Sequence, residues 1–147
     1  MSFPRTVLAR SKRYVVSHEF EVVFLKESDG REIVIGDFYG DPEAAIIDSQ
    51  ERWVIMVGCG IILYRLEGSF LPYEYDVKTN QWWEAYRSPP DTLWIESAEQ
   101  LSEDRVRFHV DPHSDEAGTY ELDVRSLSVV CLESKTSEAQ QDATSNP

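Results

Sequence analysis

Long apolar runs, paired cysteines and positive charge are all scarce in this sequence. Its longest apolar stretch, "WVIMVGCGIILY" from Trp53 to Tyr64, has the length of a strand pair and falls short of the roughly 18 residues of a membrane-spanning helix. A soluble, cytoplasmic protein is expected. The two cysteines, Cys59 and Cys131, have no CxxC spacing and sit in the apolar stretches "VGCGII" and "VVCLE". They read as small core side chains of a reducing compartment.

The motifs of common catalytic sites are missing too. There is no P-loop, no GxGxxG opening a helix, no HExxH and no GxSxG. Cys59 in "GCG" has no base near it in sequence and lies between two apolar runs, the pattern of a bulge or hairpin bend. Among 27 acids, carboxylate pairs arise by chance and carry little information about hydrolysis. No enzyme and no cofactor are expected.

What the sequence does have is acid. The formal net charge is -13, and residues 14–147 hold ten of the 14 basic side chains and all 27 acids, a formal charge of -17. Such a body repels nucleic acid and anionic membrane and attracts a basic partner over long range. The same acidity would also serve solubility alone. The other four basic residues fall in "MSFPRTVLARSKR", where Pro4 interrupts any amphipathic helix and no apolar core of a signal peptide follows, so residues 1–13 read as a basic arm.

Strand signals fill residues 14–133. "YVVSHEFEVVFLK", "EIVIGDFYG", "AAIID", "WVIMVG", "GIILYRLEG", "YEYDV", "QWWEAYR", "TLWIESAEQ", "RVRFHV", "GTYELDV" and "LSVVCLE" are each bounded by turn-forming residues. "ESAEQLSED" alone suits either a short helix or a hairpin loop. "YEYDVKT" at Tyr73 returns as "YELDVRS" at Tyr120, and the spacing resembles that of a propeller blade. The chain is too short for a closed propeller, so the expected fold is a single all-β or mainly β domain: an antiparallel meander forming a sandwich, open barrel or curved sheet, with at most one short helix. Residues 134–147 lose the apolar pattern and read as a disordered tail.

Three segments hold residue types that could carry chemistry. "IGDFYGDPEAAIID" offers Asp37, Asp41 and Glu43 as oxygen ligands, but the register of a calcium loop is missing, and Gly36, Gly40 and Asp41-Pro42 suit a turn with exposed acids and aromatics. "FHVDPHSDE" alternates His109, Asp111, His113 and Asp115, yet Pro112 favours a turn that spreads them. No metal site is expected. "LPYEYDVKTNQWWEAYRSPPDTLW" concentrates Tyr73, Tyr75, Trp82, Trp83, Tyr86 and Trp94 among acids. Adjacent Trp82 and Trp83 point to opposite faces of a strand, so one must be covered by a loop or second sheet, or stand exposed as an anchor. The expected partner-binding patch is Glu74, Tyr75, Asp76, Trp82, Trp83, Glu84 and Tyr86, with Asp37, Asp41 and Glu43 as further acids.

A small, acidic, strand-rich chain carrying "GDFYGDP", "VGCGIILYRL" and "WWEAY" resembles, across residues 14–133, the immunity proteins encoded beside bacterial polymorphic toxins. Such proteins are diverse in fold, so no site transfers residue by residue. The resemblance implies a stoichiometric inhibitor that covers a basic active-site surface of its cognate toxin. A homo-oligomeric, β-rich structural or regulatory interaction module and a metal-dependent enzyme using His109 and His113 are the alternatives.

Overall fold

The computed structural model describes residues 5–134; the first four residues and the segment expected to form the disordered tail, after Ser134, lie outside them. Within that span the protein is all-β, with no helix among the described residues. Twelve strands form three four-stranded antiparallel sheets in which spatial order follows chain order. The first sheet contains β1 (Thr6–Arg10), β2 (Tyr14–Glu19), β3 (Val22–Glu27) and β4 (Glu32–Asp37). The second contains β5 (Ala44–Ile47), β6 (Trp53–Gly58), β7 (Gly60–Arg65) and β8 (Trp82–Ala85). The third contains β9 (Ile95–Ser102), β10 (Arg105–Val110), β11 (Gly118–Asp123) and β12 (Ser128–Ser134).

The second sheet lies between the other two, and its side chains alternate strictly between two cores. Val54, Met56, Ile62, Tyr64 and Trp82 join Val16, Val23, Leu25 and Ile35 of the first sheet. Trp53, Ile55, Val57, Ile61 and Leu63 join Ile95, Val106, Phe108 and Leu122 of the third. A strand buried on both faces needs apolar residues at every position. This explains why "WVIMVGCGIILY" is continuous where the outer strands alternate: every residue of β6 is buried. β5 touches β1 on one side and β9 on the other, so the leading strands of the sheets line up as in successive propeller blades, without a closed ring.

Several local expectations change. The segment read as a basic arm supplies β1, an edge strand paired with β2. "ESAEQLSED" is strand through Ser102 followed by a turn. "YEYDV" is no strand: Tyr73 donates its backbone N–H to Val34 O at 2.9 Å, but the chain then turns at Glu74 to Val77, so its echo in β11 is one of sequence only. Cys59 is buried, whereas Cys131 is exposed on the edge strand β12 and is not a core residue.

In a meander, alternate connections gather at opposite ends. At one end the β1–β2, β5–β6 and β9–β10 turns are fastened to each other. Glu51 accepts from the Arg13 backbone N–H and Nε, both at 3.0 Å, joining the first two sheets. Asp48 accepts from Gln100 Nε2 at 2.8 Å, and Arg52 Nη1 approaches Asp104 at 3.4 Å, joining the second to the third. The opposite end, where β2–β3, β4–β5, β6–β7, β8–β9 and β10–β11 connect, is built differently.

Candidate functional site

A cavity of about 680 Å³ opens at this second end. Glu21 comes from the β2–β3 turn, Asp37, Phe38 and Tyr39 from the end of β4 and the loop after it, and Cys59 from the β6–β7 hairpin tip. Arg87, Pro89, Thr92 and Trp94 come from the β8–β9 connection, and Tyr75 from the long β7–β8 loop. The hairpin tip is fixed by an antiparallel bridge between Cys59 and Trp94 and by Gly60 N–H to Leu93 O at 2.8 Å. Gly60 has φ +89°, and a Cβ there would lie 2.8 Å from the carbonyls of both Ala85 and Tyr86, so only glycine allows the β8–β9 segment to pass this close.

Aromatic rings frame the opening. Tyr39 is 75% exposed, Tyr75 55% and Trp94 44%. Tyr39 and Trp94 meet edge to face with centroids 6.2 Å apart. Large rings left this open in one place are unusual for a surface with no binding role. Phe38, next to Tyr39, is buried in the first core, so the turn "GDFYGDP" shows one ring and hides the other.

The expected acids Asp37, Asp41 and Glu43 are all exposed on this end. Asp37 lines the main cavity. Asp41 and Glu43 line an adjoining cleft of about 180 Å³ with Tyr39, Trp94, Glu96 and Asp111. Among the described residues no group of three His, Cys, Asp or Glu side chains has the geometry of a metal site. His109 instead pairs Nδ1 with Thr119 Oγ1 at 3.2 Å within the third sheet, while His113 is exposed in the following loop.

The other expected patch is partly dispersed by burial. Tyr75, Asp76, Trp82, Trp83, Glu84 and Tyr86 do line one concavity of about 440 Å³, without Glu74. Yet Trp82 is only 5% exposed, stacked on Tyr64 and donating Nε1–H to Val77 O at 2.9 Å, which makes it a core residue. Trp83 and Tyr86 pack on the second core. The second ring, Trp83, is partly covered by the opposing third sheet. Glu84 accepts from Tyr73 Oη at 2.6 Å and faces Arg87 Nε at 3.8 Å, so its carboxylate is engaged internally. Burial, and secondarily the bond to Glu84, push the Tyr73 phenol far above its ordinary pKa. Tyr75 is the ring of this group that remains open to a partner.

Arg87 was not singled out by sequence reasoning. Its side chain is 8% exposed, its Cζ lies 4.5 Å from the Phe38 ring centroid and 5.6 Å from that of Tyr75, and Nη2 donates to Asp37 O. Burial of Cys59, against the opposing charge of Arg87, raises the thiol pKa above its ordinary value. The arrangement offers aromatic and carboxylate contacts. No protein-family model matches the chain, and neither a curated protein nor a solved structure matches it.

Proposed function

We propose that the protein is an acidic binding protein for a basic protein surface, and that it acts in the bacterial cytoplasm as an immunity protein, covering the cationic active site of a cognate toxin without catalysis or cofactor. The observation that carries this reading is the gathering of Tyr39, Tyr75 and Trp94, all substantially exposed, at one end of the sheet stack beside Asp37, Asp41 and Glu43. The toxin-directed role is supported by the general resemblance of the chain to immunity proteins.

A body of formal charge -17 speeds the approach of a positive partner but confers little specificity once salt screens it. Specificity comes from rings that become desolvated in the complex. Lys and Arg side chains of the partner can rest against Tyr39 and Trp94 while their charges meet the neighbouring carboxylates. The aromatic anchors are worth about 2 to 4 kcal/mol each and the rim acids about 0 to 1. The test is capture of the partner from the native host, followed by affinity measurements on Tyr39→Ala and Trp94→Ala at low and moderate salt. Unchanged affinity in both, or binding indifferent to salt, rules the reading out.

A further inference from the structure

We infer that the partner segment read at this end is an extended one carrying a basic side chain and a large apolar side chain two residues apart, each seated in its own cavity. The inference rests on the function proposed above and adds which feature of a basic surface is recognised. Tyr39 and Trp94, edge to face at 6.2 Å, belong to the linings of two cavities at once, one of about 680 Å³ and one of about 180 Å³. Both rings are well exposed, so the pair stands open to a partner where the two hollows meet.

The two hollows differ in charge. Asp41, Glu43, Glu96 and Asp111 line the smaller one, and no lysine, arginine or histidine does. Asp41, Glu43 and Glu96 are exposed, and their side chains have no hydrogen-bond or ion-pair partner among the described residues. A guanidinium or ammonium group entering here meets carboxylates, with aromatic rings at the same wall. The larger cavity sets Tyr75, Pro89 and Trp94 beside Glu21, Asp37 and Arg87. Arg87 opposes a second cation and the two acids oppose an anion, whereas an apolar side chain escapes both repulsions and gains from the rings. The free volume exceeds that of any single side chain, so no wall residue has to move. In an extended segment, side chains i and i+2 leave the same side about 6 to 7 Å apart, which brings one to each side of the ring pair. Adjacent residues would point one side chain away.

The test titrates the full chain with acetyl-Phe-Gly-Arg-amide and two analogues, one with citrulline for arginine and one with alanine for phenylalanine, following the Trp94 indole N–H resonance by NMR. The parent peptide is expected to displace that resonance and to bind about fivefold tighter than either analogue. Added salt should weaken the parent peptide and spare the citrulline analogue. Asp41→Asn combined with Glu96→Gln, which alters only exposed side chains, should abolish the preference for arginine over citrulline and keep that for phenylalanine over alanine. An unmoved resonance, equal binding of the three peptides, or an arginine preference that survives the double substitution overturns the inference. A basic protein partner that still needs Tyr39 and Trp94 while the peptides bind alike leaves the proposed function standing and removes only the two-cavity recognition. Peptide preferences as expected, with no such partner captured, support the recognition and remove the function.

Discussion

Trp82 and Trp83 are consecutive in β8 but belong to different cores. Trp82 stacks on Tyr64 at a centroid distance of 6.2 Å, between the first and second sheets, and Trp83 packs between the second and third. The pair therefore reports separately on the two interfaces of the stack.

Truncating them should give unequal losses. Trp82→Ala removes a nearly enclosed ring together with its bond to Val77 O and is expected to cost about 3 to 5 kcal/mol. Trp83→Ala removes a half-buried ring and should cost about 1 to 2 kcal/mol. Urea unfolding of both variants, compared with the parent, checks the order.

The exposed rings should behave in the opposite way. Tyr39→Ala and Trp94→Ala are expected to leave stability within about 1 kcal/mol of the parent. Each should lower affinity for the basic partner by about 2 kcal/mol or more. Thermal unfolding and a binding titration on the same preparations distinguish this from indirect loss through misfolding.

Acid should loosen the join between the second and third sheets. Burial alone would raise the pKa of Asp48, but hydrogen bonds from Arg52 and Gln100 outweigh it and hold the carboxyl below its ordinary value. A carboxyl depressed in the folded state contributes stability above its unfolded pKa of about 3.9, and that contribution is lost as pH falls through the lower folded value. The denaturation midpoint is expected to hold from neutral pH to about 5 and to decline below about 4. Asp48→Asn should lose about 2 to 3 kcal/mol at pH 7 and show a shallower acid decline, measurable by urea titration across pH.

Gly60→Ala should disturb both the fold and the cavity. The added methyl meets the Ala85 and Tyr86 carbonyls at 2.8 Å and the Arg87 Cδ at 2.5 Å, in a backbone conformation that alanine resists. A loss of about 2 to 4 kcal/mol is expected, with chemical-shift changes at Arg87 larger than in the β9–β10 turn at the other end. Denaturation and NMR spectra together check it.

Much of the architecture was legible because turn chemistry punctuates the strands at short intervals, as in Asp48 to Arg52 between β5 and β6. β1 was hidden because its three apolar residues stand among Arg5, Arg10, Lys12 and Arg13, which look like a basic arm until Arg5 is seen over the Phe24 ring and paired with Glu19. "YEYDV" misled because it alternates like a strand although only Tyr73 is buried. At the site, Asp37, Asp41 and Glu43 were readable as turn acids. Arg87 was not, since nothing in "AYRSPPD" tells that this cation folds inward against Phe38. Trp94 was visible as part of an aromatic cluster, but its place beside Tyr39 depends on a cross-chain bridge between Cys59 and the start of β9.

Because each sheet is assembled from strands that follow one another along the chain, the hydrogen-bonded ladders close mostly short loops, and the slow search for distant strand partners that delays many β proteins is largely avoided. The hazard shifts to synthesis. When β5 to β8 emerge, the first sheet is ready to receive one apolar face, but the face bearing Ile55, Val57, Ile61 and Leu63 stays bare until β9 to β12 follow. A nascent chain arrested with its emerged portion ending between Arg65 and Ile95 would therefore display an apolar surface, and aggregation should be greatest for arrests that leave this much of the chain outside the ribosome.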